Sequence, residues 1–344
     1  MLTWTDQPYT TMWAHLRFLS HEFNSRRLLR NDLGRARKQP VPPDDLLNRK
    51  AAQLAYCILQ AHEYYQAAET VTINTSPLLF FYGMLSLAKA VIVANHPLML
   101  LDDIKFHGLQ HEKNGRASTL DNQTAILNRG VYDEFVKVVA GFRFPRGAAF
   151  QFKTLLSISP ELSATYERYY LEKSRCIYLH DIRSESQNRI NVSVIPPAGP
   201  FKDEAYARIP ELAEHFDVQP QLQHQRALSF ISKPTLNSPP EYAREYNPVV
   251  GGRYIVAPLP FMLNNVEVRQ YVSPPVSDYI SMYILSDCVR YQQELWGSVV
   301  QGKETGVLGI TDLFVAASKR RFPNLILNEL HGEIFEYGSP GRLM

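Results

Sequence analysis

The sequence lacks the residue patterns that identify most enzyme classes. It has only three cysteines, Cys57, Cys176 and Cys288, which are scattered and fit no metal-binding spacing. This spacing excludes the usual cysteine-rich zinc sites and is typical of a protein from a reducing cytoplasm. The glycine motifs of phosphate-binding loops, the two-histidine motif of zinc proteases and the serine elbow of hydrolases are also missing. We therefore predict neither a metal nor a tightly bound organic cofactor.

A strong charge of one sign is missing as well. The net charge over 344 residues is only +2, which argues neither for nor against nucleic acid as a partner of the whole chain. Apolar residues make up 45% and charged residues 20%, which are the proportions of a folded globular protein. The N-terminus has no basic segment followed by an apolar one, so we predict no signal peptide and a soluble, cytoplasmic protein.

Only one long apolar run is present, from residue 78 to residue 94, and it is the most informative feature of the chain. Thr75 or Ser76 is the expected N-cap of a helix here, with Pro77 in its first turn. The run is barely long enough to span a bilayer and it contains Lys89. We interpret it as the central helix of a soluble bundle, surrounded by other helices.

The same helix contains Gly83, which costs roughly 1 kcal/mol against alanine in mid-helix, so we expect another backbone to approach closely there. A long helix is predicted before it, over residues 46–70, with Asp44 as the N-cap. Together the two helices resemble the long antiparallel pair of HEPN-type bundles, a likeness of fold alone.

The periodicity divides the chain into three parts. Residues 1–175 are predicted to be helical, with a polar loop over 102–115 and shorter, weaker segments over 122–128 and 132–139. Residues 176–262 form a β-rich, proline-rich insert, and residues 263–344 return to helices that pack back on the N-terminal bundle. We predict a mainly α (α+β) fold, a helical bundle with a small, mostly antiparallel sheet inserted in the second half.

The insert contains short runs of β-branched and aromatic residues bounded by proline, glycine and asparagine. The predicted strands cover residues 176–182, 189–195, 227–231 and 253–257, with a helix over 203–216 between them. Gly251 and Gly252 precede the last strand and not a helix, which indicates a turn and not a phosphate-binding loop. In the C-terminal part we predict helices over 274–296, 311–319 and 323–335.

Several of these segments together resemble the YaaC-like family of bacterial proteins. The helix Pro77-Leu-Leu-Phe-Phe-Tyr-Gly-Met-Leu-Ser-Leu-Ala-Lys-Ala90 is similar to the signature helix of that family. His107-Gly-Leu109, Ser159-Pro-Glu-Leu162, and Ile284 to Tyr291 followed by Trp296 match in type and order. Phe81 and Ser86 depart from the pattern, where tyrosine and asparagine are common. The resemblance covers residues 50–330 and implies an architecture, but no established activity.

Candidate ligand-binding residues come from the same segments: Lys89, His107, Gly108, Arg290, Tyr82 and Tyr291. If the terminal helices pack together, the cationic groups among them converge on a seam that suits an anionic ligand. The alternative is that Lys89 and Arg290 pair separately with acids such as Glu63 or Asp287. Lys89 is also expected to snorkel if it lies at the edge of the bundle.

His107 and His111 are four residues apart, a separation that binds metal when both lie on one helix. Gly108 and the polar neighbours indicate a loop, and no third ligand follows at a typical spacing, so we predict no metal site. His107 is instead a candidate partner for a buried acceptor or for a ligand phosphate.

Arg175 and His180 form an R-x-x-x-x-H pattern, which is similar to the catalytic motif of HEPN ribonucleases. In that chemistry the histidine is a general base and the arginine stabilises charge on the phosphorus. The family places the motif on a helix, whereas residues 176–182 are predicted to be a strand. A metal-independent ribonuclease that uses Arg175 and His180 is therefore our alternative hypothesis.

Basic residues cluster in the N-terminal region, at Arg26, Arg27, Arg30, Arg35, Arg37 and Lys38. They and a second patch, Lys319-Arg-Arg321, are solvated faces, contacts for a partner, or contacts for a phosphate or nucleic acid. Our leading hypothesis is a non-catalytic interaction or ligand-sensing subunit of a bacterial assembly in stress or antiviral defence. We expect a protein partner, no membrane and a capacity to form homo-oligomers.

Overall fold

The computed structural model describes residues 2–32, 42–112, 119–179, 181–184, 190–194, 205, 209–210, 213, 216–219, 228–232, 253–272, 274–303, 306–333 and 335–338. The helices of this part of the chain are α1 (Pro8–Phe18), α2 (Glu22–Arg27), α3 (Asp44–Thr70), α4 (Ser76–Asn95), α5 (Val131–Ala140), α6 (Phe152–Ser157), α7 (Ser163–Tyr170), α8 (Pro274–Tyr291), α9 (Gln293–Val300) and α10 (Val307–His331).

The strands are short. They are β1 (Leu2–Trp4), β2 (Leu109–His111), β3 (Thr124–Leu127), β4 (Ala149–Gln151), β5 (Cys176–Leu179), β6 (Asp181–Ser184), β7 (Ile190–Val194), β8 (Phe216–Val218), β9 (Leu228–Ser232), β10 (Arg253–Val256), β11 (Leu259–Leu263), β12 (Val266–Gln270) and β13 (Glu336–Gly338). The fold is mainly α with small, mostly antiparallel sheets, as the sequence predicts. One pair is parallel: β1, near the N-terminus, pairs with β13, near the C-terminus.

The centre of the fold is the antiparallel hairpin of α3 and α4. Because α4 is apolar on nearly every side, it needs neighbours all round, and α3, α5, α8 and α10 pack against it. α4 is long and apolar enough to cross a membrane, but 72% of its most apolar 18-residue window is buried inside the protein. It is therefore the predicted core helix, surrounded by protein and not by lipid.

The starts of the two hairpin helices differ slightly from the prediction. α4 begins after Thr75 with Pro77 in its first turn, as expected, although the Thr75 side chain makes no capping hydrogen bond. Asp44 was predicted to be the N-cap of α3, but it is the first helical residue and Pro43 occupies the cap position. Its carboxylate still lies at the positive end of the helix dipole and pairs with Arg26 at 2.8 Å.

Polar pairs fix the register of α3 against α4. The ring of Tyr64 stacks on that of Tyr82 with 5.6 Å between centroids, and one turn further along Ser86 Oγ donates a hydrogen bond to Gln60 Oε1 at 2.9 Å. Near the end of α4 the buried amine of Lys50 donates to the carbonyl of His96. Burial disfavours the charged form of this amine and lowers the pKa of Lys50 to about 8.

Gly83 is required by a side chain and not by a neighbouring backbone, which corrects the prediction. A Cβ atom at this position would lie 2.5 Å from Cδ2 of Tyr65, far inside van der Waals contact. Tyr65 is itself buried between Trp13 and Phe80, so its ring has little room to move away. The glycine therefore leaves room for the ring of Tyr65 between the two helices of the hairpin.

We expect Gly83→Ala to destabilise the protein by about 1–3 kcal/mol, because overpacking exceeds the gain in helix propensity. Gly297→Ala in α9 is the matched control, since a Cβ there meets nothing within 4 Å. The control should stabilise by roughly 0.5–1 kcal/mol. Urea unfolding measures both, and equal stabilities for the two variants would contradict the proposed clash.

The antiparallel strands predicted in the middle third are confirmed, except that the single strand predicted over 176–182 is two strands, β5 and β6, in different sheets. β5 pairs with β10, and a four-stranded sheet has the order β6-β7-β9-β8. Most of the helix predicted over 203–216 lies outside the described residues, and Phe216 already belongs to β8. The predicted turn at Gly251 and Gly252 also lies outside them.

A second sheet was missed, because its strands come from both halves of the chain. It has five strands in the order β12-β11-β4-β3-β2. Residues 122–128 were predicted as a weak helical segment, yet Thr124–Leu127 is a strand that buries alternate side chains. The predicted polar loop over 102–115 contains β2. Segments of three or four residues are too short for their periodicity to separate strand from loop.

The two helices predicted over 311–319 and 323–335 are one continuous helix, α10. Pro323 lies inside it and is buried. A proline in this position removes one backbone hydrogen bond and normally interrupts a helix. Buried side chains continue on both sides of the proline, from Phe314 and Ala317 to Ile326 and Leu330, and this tertiary burial outweighs the local penalty.

Candidate functional site

The backbone around His107 is fixed by the start of α5. The carbonyls of Phe106 and His107 accept hydrogen bonds from the N–H groups of Val131 and Tyr132, at 2.8 and 3.0 Å. These donors belong to the first turn of a helix and have no partner within it. Gly108 has φ of +90°, and a Cβ there would lie 3.1 Å from the nitrogen of Tyr132. The glycine permits this close crossing, which sets the position of the His107 side chain.

The imidazole of His107 has a defined orientation. Its Nδ1 accepts a hydrogen bond from the N–H of Leu109 at 3.3 Å, so in the neutral ring the proton is on Nε2. The ring packs near Phe81 and Tyr283, with centroids 6.3 and 5.2 Å away. Burial lowers the pKa of His107, and the positive charge of Arg290 lowers it further.

Arg290 is the last but one residue of α8, and its side chain is only 21% exposed. Its Nε donates to the carbonyl of Ser286 at 3.2 Å. The other contacts are long: Nη1 lies 3.5 Å from the hydroxyl of Tyr82, and Nη2 lies 3.8 Å from the carboxylate of Asp287. A guanidinium has five N–H donors, so this sheltered cation keeps donor capacity for a further acceptor.

Asp287 also holds His111, which lies at the end of edge strand β2. The carboxylate is 2.8 Å from Nδ1 of His111, and both side chains are nearly buried. The amide nitrogen of Gln292 lies 3.1 Å from Nε2 of the same ring and donates to Gln123 at 3.0 Å. With Nδ1–H donating to Asp287 and Nε2 accepting from Gln292, both ring nitrogens of His111 are in use.

We call the pair formed by His107 and Arg290 the His107–Arg290 clasp. It offers the Nε2–H of a histidine and a guanidinium whose Nη contacts are long, within electrostatic reach of each other. Cationic and N–H donors of this kind bind oxyanions, and partial burial strengthens the interaction relative to a surface site. Asp287 offsets part of the positive charge and holds the pKa of His107 from falling further.

A family model described as YaaC-like Protein matches residues 17–330. This chain belongs to the YaaC-like family. Neither the comparison with curated proteins nor the comparison with solved structures gives a significant match.

In this YaaC-like protein most of the predicted ligand-binding residues lie together. His107, Gly108, Arg290 and Tyr82 meet where the loop before β2, α4 and α8 pack against one another. Arg290 also makes a long ion pair with Asp287, the pairing that the sequence offered as the alternative to an anion-binding seam. Ligand binding by these residues stays a prediction.

Lys89 lies apart from this cluster. It is two helical turns beyond Tyr82, about 10 Å further along α4. Its charge acts on Cys57 of α3, where burial raises the pKa of the thiol and Lys89 opposes the rise. Lys89 has no hydrogen bond or ion pair with any residue that the structure describes, and in particular none with Glu63.

Tyr291 lies at the protein surface beside Arg290. Its ring is 68% exposed and lies beside the guanidinium of Arg290, with 4.9 Å from Cζ to the ring centroid. It therefore stands at the solvent side of the clasp, at the C-terminal end of α8.

The sequence analysis missed three contributors to the site: Tyr283, Gln123 and Gln292. It also dismissed His111 with the metal hypothesis and named Asp287 only as a pairing acid. A signal was available for His111, because Leu109 and His111 alternate in the way that a half-buried strand requires. Gln123 and Gln292 are 169 residues apart, and no local pattern connects them.

Arg175 stands directly before strand β5, as predicted, and not on a helix. Its N–H donates to the carbonyl of Ser157 at 2.8 Å, and its guanidinium lies 3.5 Å from the carbonyl of Pro258. His180 lies outside the described residues. The ribonuclease hypothesis therefore stays a prediction from sequence.

The basic clusters are less uniform than the sequence suggests. Arg26 is paired with Asp44, whereas Arg27 and Arg30 are exposed. Arg35, Arg37 and Lys38 lie outside the described residues. In the second patch Arg321 is fully buried, so the interpretation of Lys319-Arg-Arg321 as a solvated or phosphate-contacting face is wrong for Arg321.

Metal ligands were searched for in the same part of the chain. Among the residues described, no group of three or more histidine, cysteine, aspartate or glutamate side chains could hold a metal ion. His107 and His111 have separate hydrogen-bond partners. The expectation that the protein binds no metal or organic cofactor stays a prediction.

Proposed function

We propose that this YaaC-like protein is a non-catalytic, cytoplasmic subunit of a bacterial assembly that senses a small anionic ligand through the His107–Arg290 clasp. One observation carries the proposal: the side chain of Arg290 is only 21% exposed, yet two of its three polar contacts are 3.5 and 3.8 Å long. A sheltered cation with weak partners is costly unless an anion completes its hydrogen bonds.

The surroundings of the clasp favour binding over proton transfer. His111 and Asp287 have the geometry of a base with its orienting carboxylate, but Gln292 occupies the nitrogen that a general base would need. In the neutral ring of His107, Nδ1 accepts a hydrogen bond and Nε2 carries the proton, so this side chain offers a donor and not a base. His107 can therefore donate to an anion, whereas both ring nitrogens of His111 are in use.

The partners in this proposal are another protein and a second copy of the chain. We propose that the assembly acts in stress response or antiviral defence. Sequence features support these parts of the proposal: the missing catalytic motifs and the proline-rich middle third, which offers loop surface for contacts. Arg27 and Arg30 are exposed and supply positive charge for a nucleic-acid partner if the assembly contains one.

The proposal is tested by measuring the affinity of the full chain for sulfate and inorganic phosphate by calorimetry. We expect Arg290→Gln to weaken binding about tenfold or more, because a hydrogen bond to a charged group contributes about 1.5–3 kcal/mol. Arg269→Gln is the control. Arg269 is half-exposed and pairs with Glu267 at 3.0 Å, so its loss should leave anion affinity unchanged.

Circular dichroism of both variants checks that they are folded. Anion binding by Arg290→Gln at wild-type strength would contradict the proposed clasp. Equal weakening in both variants would show that bulk charge, and not this site, determines the affinity.

A further inference from the structure

The rim of the His107–Arg290 clasp is aromatic. Tyr291 covers one side of the guanidinium with one face of its ring and is 68% exposed to solvent. Phe106, which directly precedes His107, is also largely exposed. The hydroxyl of Tyr82 faces Arg290, and the ring of Tyr82 is stacked on Tyr64. The clasp thus has polar donors at its centre and aromatic rings around them.

An aromatic rim is not needed to bind a bare inorganic anion. Sulfate or phosphate needs only charge and N–H donors, which the clasp itself supplies. An exposed aromatic ring beside a phosphate-binding arginine suits a ligand in which a planar ring is attached to the phosphate. Every nucleobase has a π-face that stacks on tyrosine, whatever its hydrogen-bonding edge.

We infer that the ligand of the clasp is a nucleoside phosphate, with its phosphate on Arg290 and His107 and its base stacked on the open face of Tyr291. This inference rests on the proposed function and adds the class of ligand. The adjacency of Arg290 and Tyr291 places a phosphate site next to a stacking surface.

The probes are adenosine monophosphate, ribose 5-phosphate and sulfate, titrated into the full chain by calorimetry. Adenosine monophosphate should bind about tenfold more tightly than ribose 5-phosphate, within the range measured for stacking of one base on an aromatic side chain. Tyr291→Leu should remove this preference, so that adenosine monophosphate and ribose 5-phosphate bind with equal affinity. Tyr291→Phe, which keeps a ring, should keep the preference.

Tyr56→Leu is the matched control, because Tyr56 is a tyrosine of similar exposure, 60%, on α3. It should change neither affinity. If the wild type binds adenosine monophosphate and ribose 5-phosphate equally, the nucleotide inference is wrong while the anion site stands. If none of the three probes binds, the proposed function fails as well. If a uridine oligonucleotide binds more tightly than adenosine monophosphate, the ligand is RNA and not a small molecule, and the inference is wrong.

Discussion

Replacing Arg321 with methionine is expected to lower the free energy of unfolding by about 3–5 kcal/mol, because it leaves a buried carboxylate without its partner. Arg321 is fully buried in α10 and grips Asp278 of α8 with two hydrogen bonds, at 3.0 and 2.7 Å. It also donates to Ser159 at 2.9 Å and contacts Glu161. One side chain thus connects two core helices to the turn before α7.

Arg269→Met provides the comparison, because that arginine pairs with Glu267 on the surface and its loss should cost within about 0.5 kcal/mol. Burial raises the pKa of Asp278 while Arg321 opposes the rise, so the carboxylate depends on the arginine to stay charged. The double variant Arg321→Met with Asp278→Leu should recover much of the loss, since neither charge remains. A stability loss in Arg321→Met no larger than in Arg269→Met would refute the proposed role.

The elements with long, uninterrupted patterns could be predicted from sequence. The central helix is an example, because a run that is apolar on every face fits only an interior position. The strands of the middle third were also found, since four separate β-branched runs have their own proline and glycine boundaries. In both cases the signal is local and repeated over many residues.

Elements that depend on distant partners could not be predicted. Strand β3 has four residues and exists because β2 and β4 lie beside it. Pro323 continues a helix because the residues before and after it are buried in the core, which its own sequence does not show. Arg321 was assigned to a surface patch, because its partner Asp278 is 43 residues away in the chain.

The candidate site follows the same division. His107 and Arg290 were selected because both lie in segments that resemble the YaaC-like family, and that argument requires no knowledge of their neighbours. Lys89 met the same criterion but lies elsewhere. A helical sequence pattern predicts the spacing of residues along the helix axis, but it does not predict which neighbouring element each residue faces. Asp287 and Gln292 acquire their roles only when β2 packs against the end of α8.

Sulfate binding should strengthen as the pH is lowered from about 7.5 to about 5.5, because the His107–Arg290 clasp gains a charge. In the free protein burial and Arg290 hold the pKa of His107 below its ordinary value. A bound dianion favours the imidazolium and raises this pKa, so the complex holds more protons than the free protein between the two values. Binding therefore takes up a proton in that interval, and affinity increases by about tenfold for each unit by which the pKa rises.

Sulfate is the appropriate probe, because it keeps its double charge throughout this range whereas phosphate titrates. The charged and titratable groups near His107 are Arg290, Asp287 and Tyr283. Burial raises the pKa of Tyr283, so its hydroxyl stays neutral, and Arg290 stays charged. His107→Gln, which keeps an N–H donor near the position of Nε2 but cannot titrate, should bind sulfate with little dependence on pH. The same pH dependence in His107→Gln as in the wild type would assign the proton to another group and remove His107 from the site.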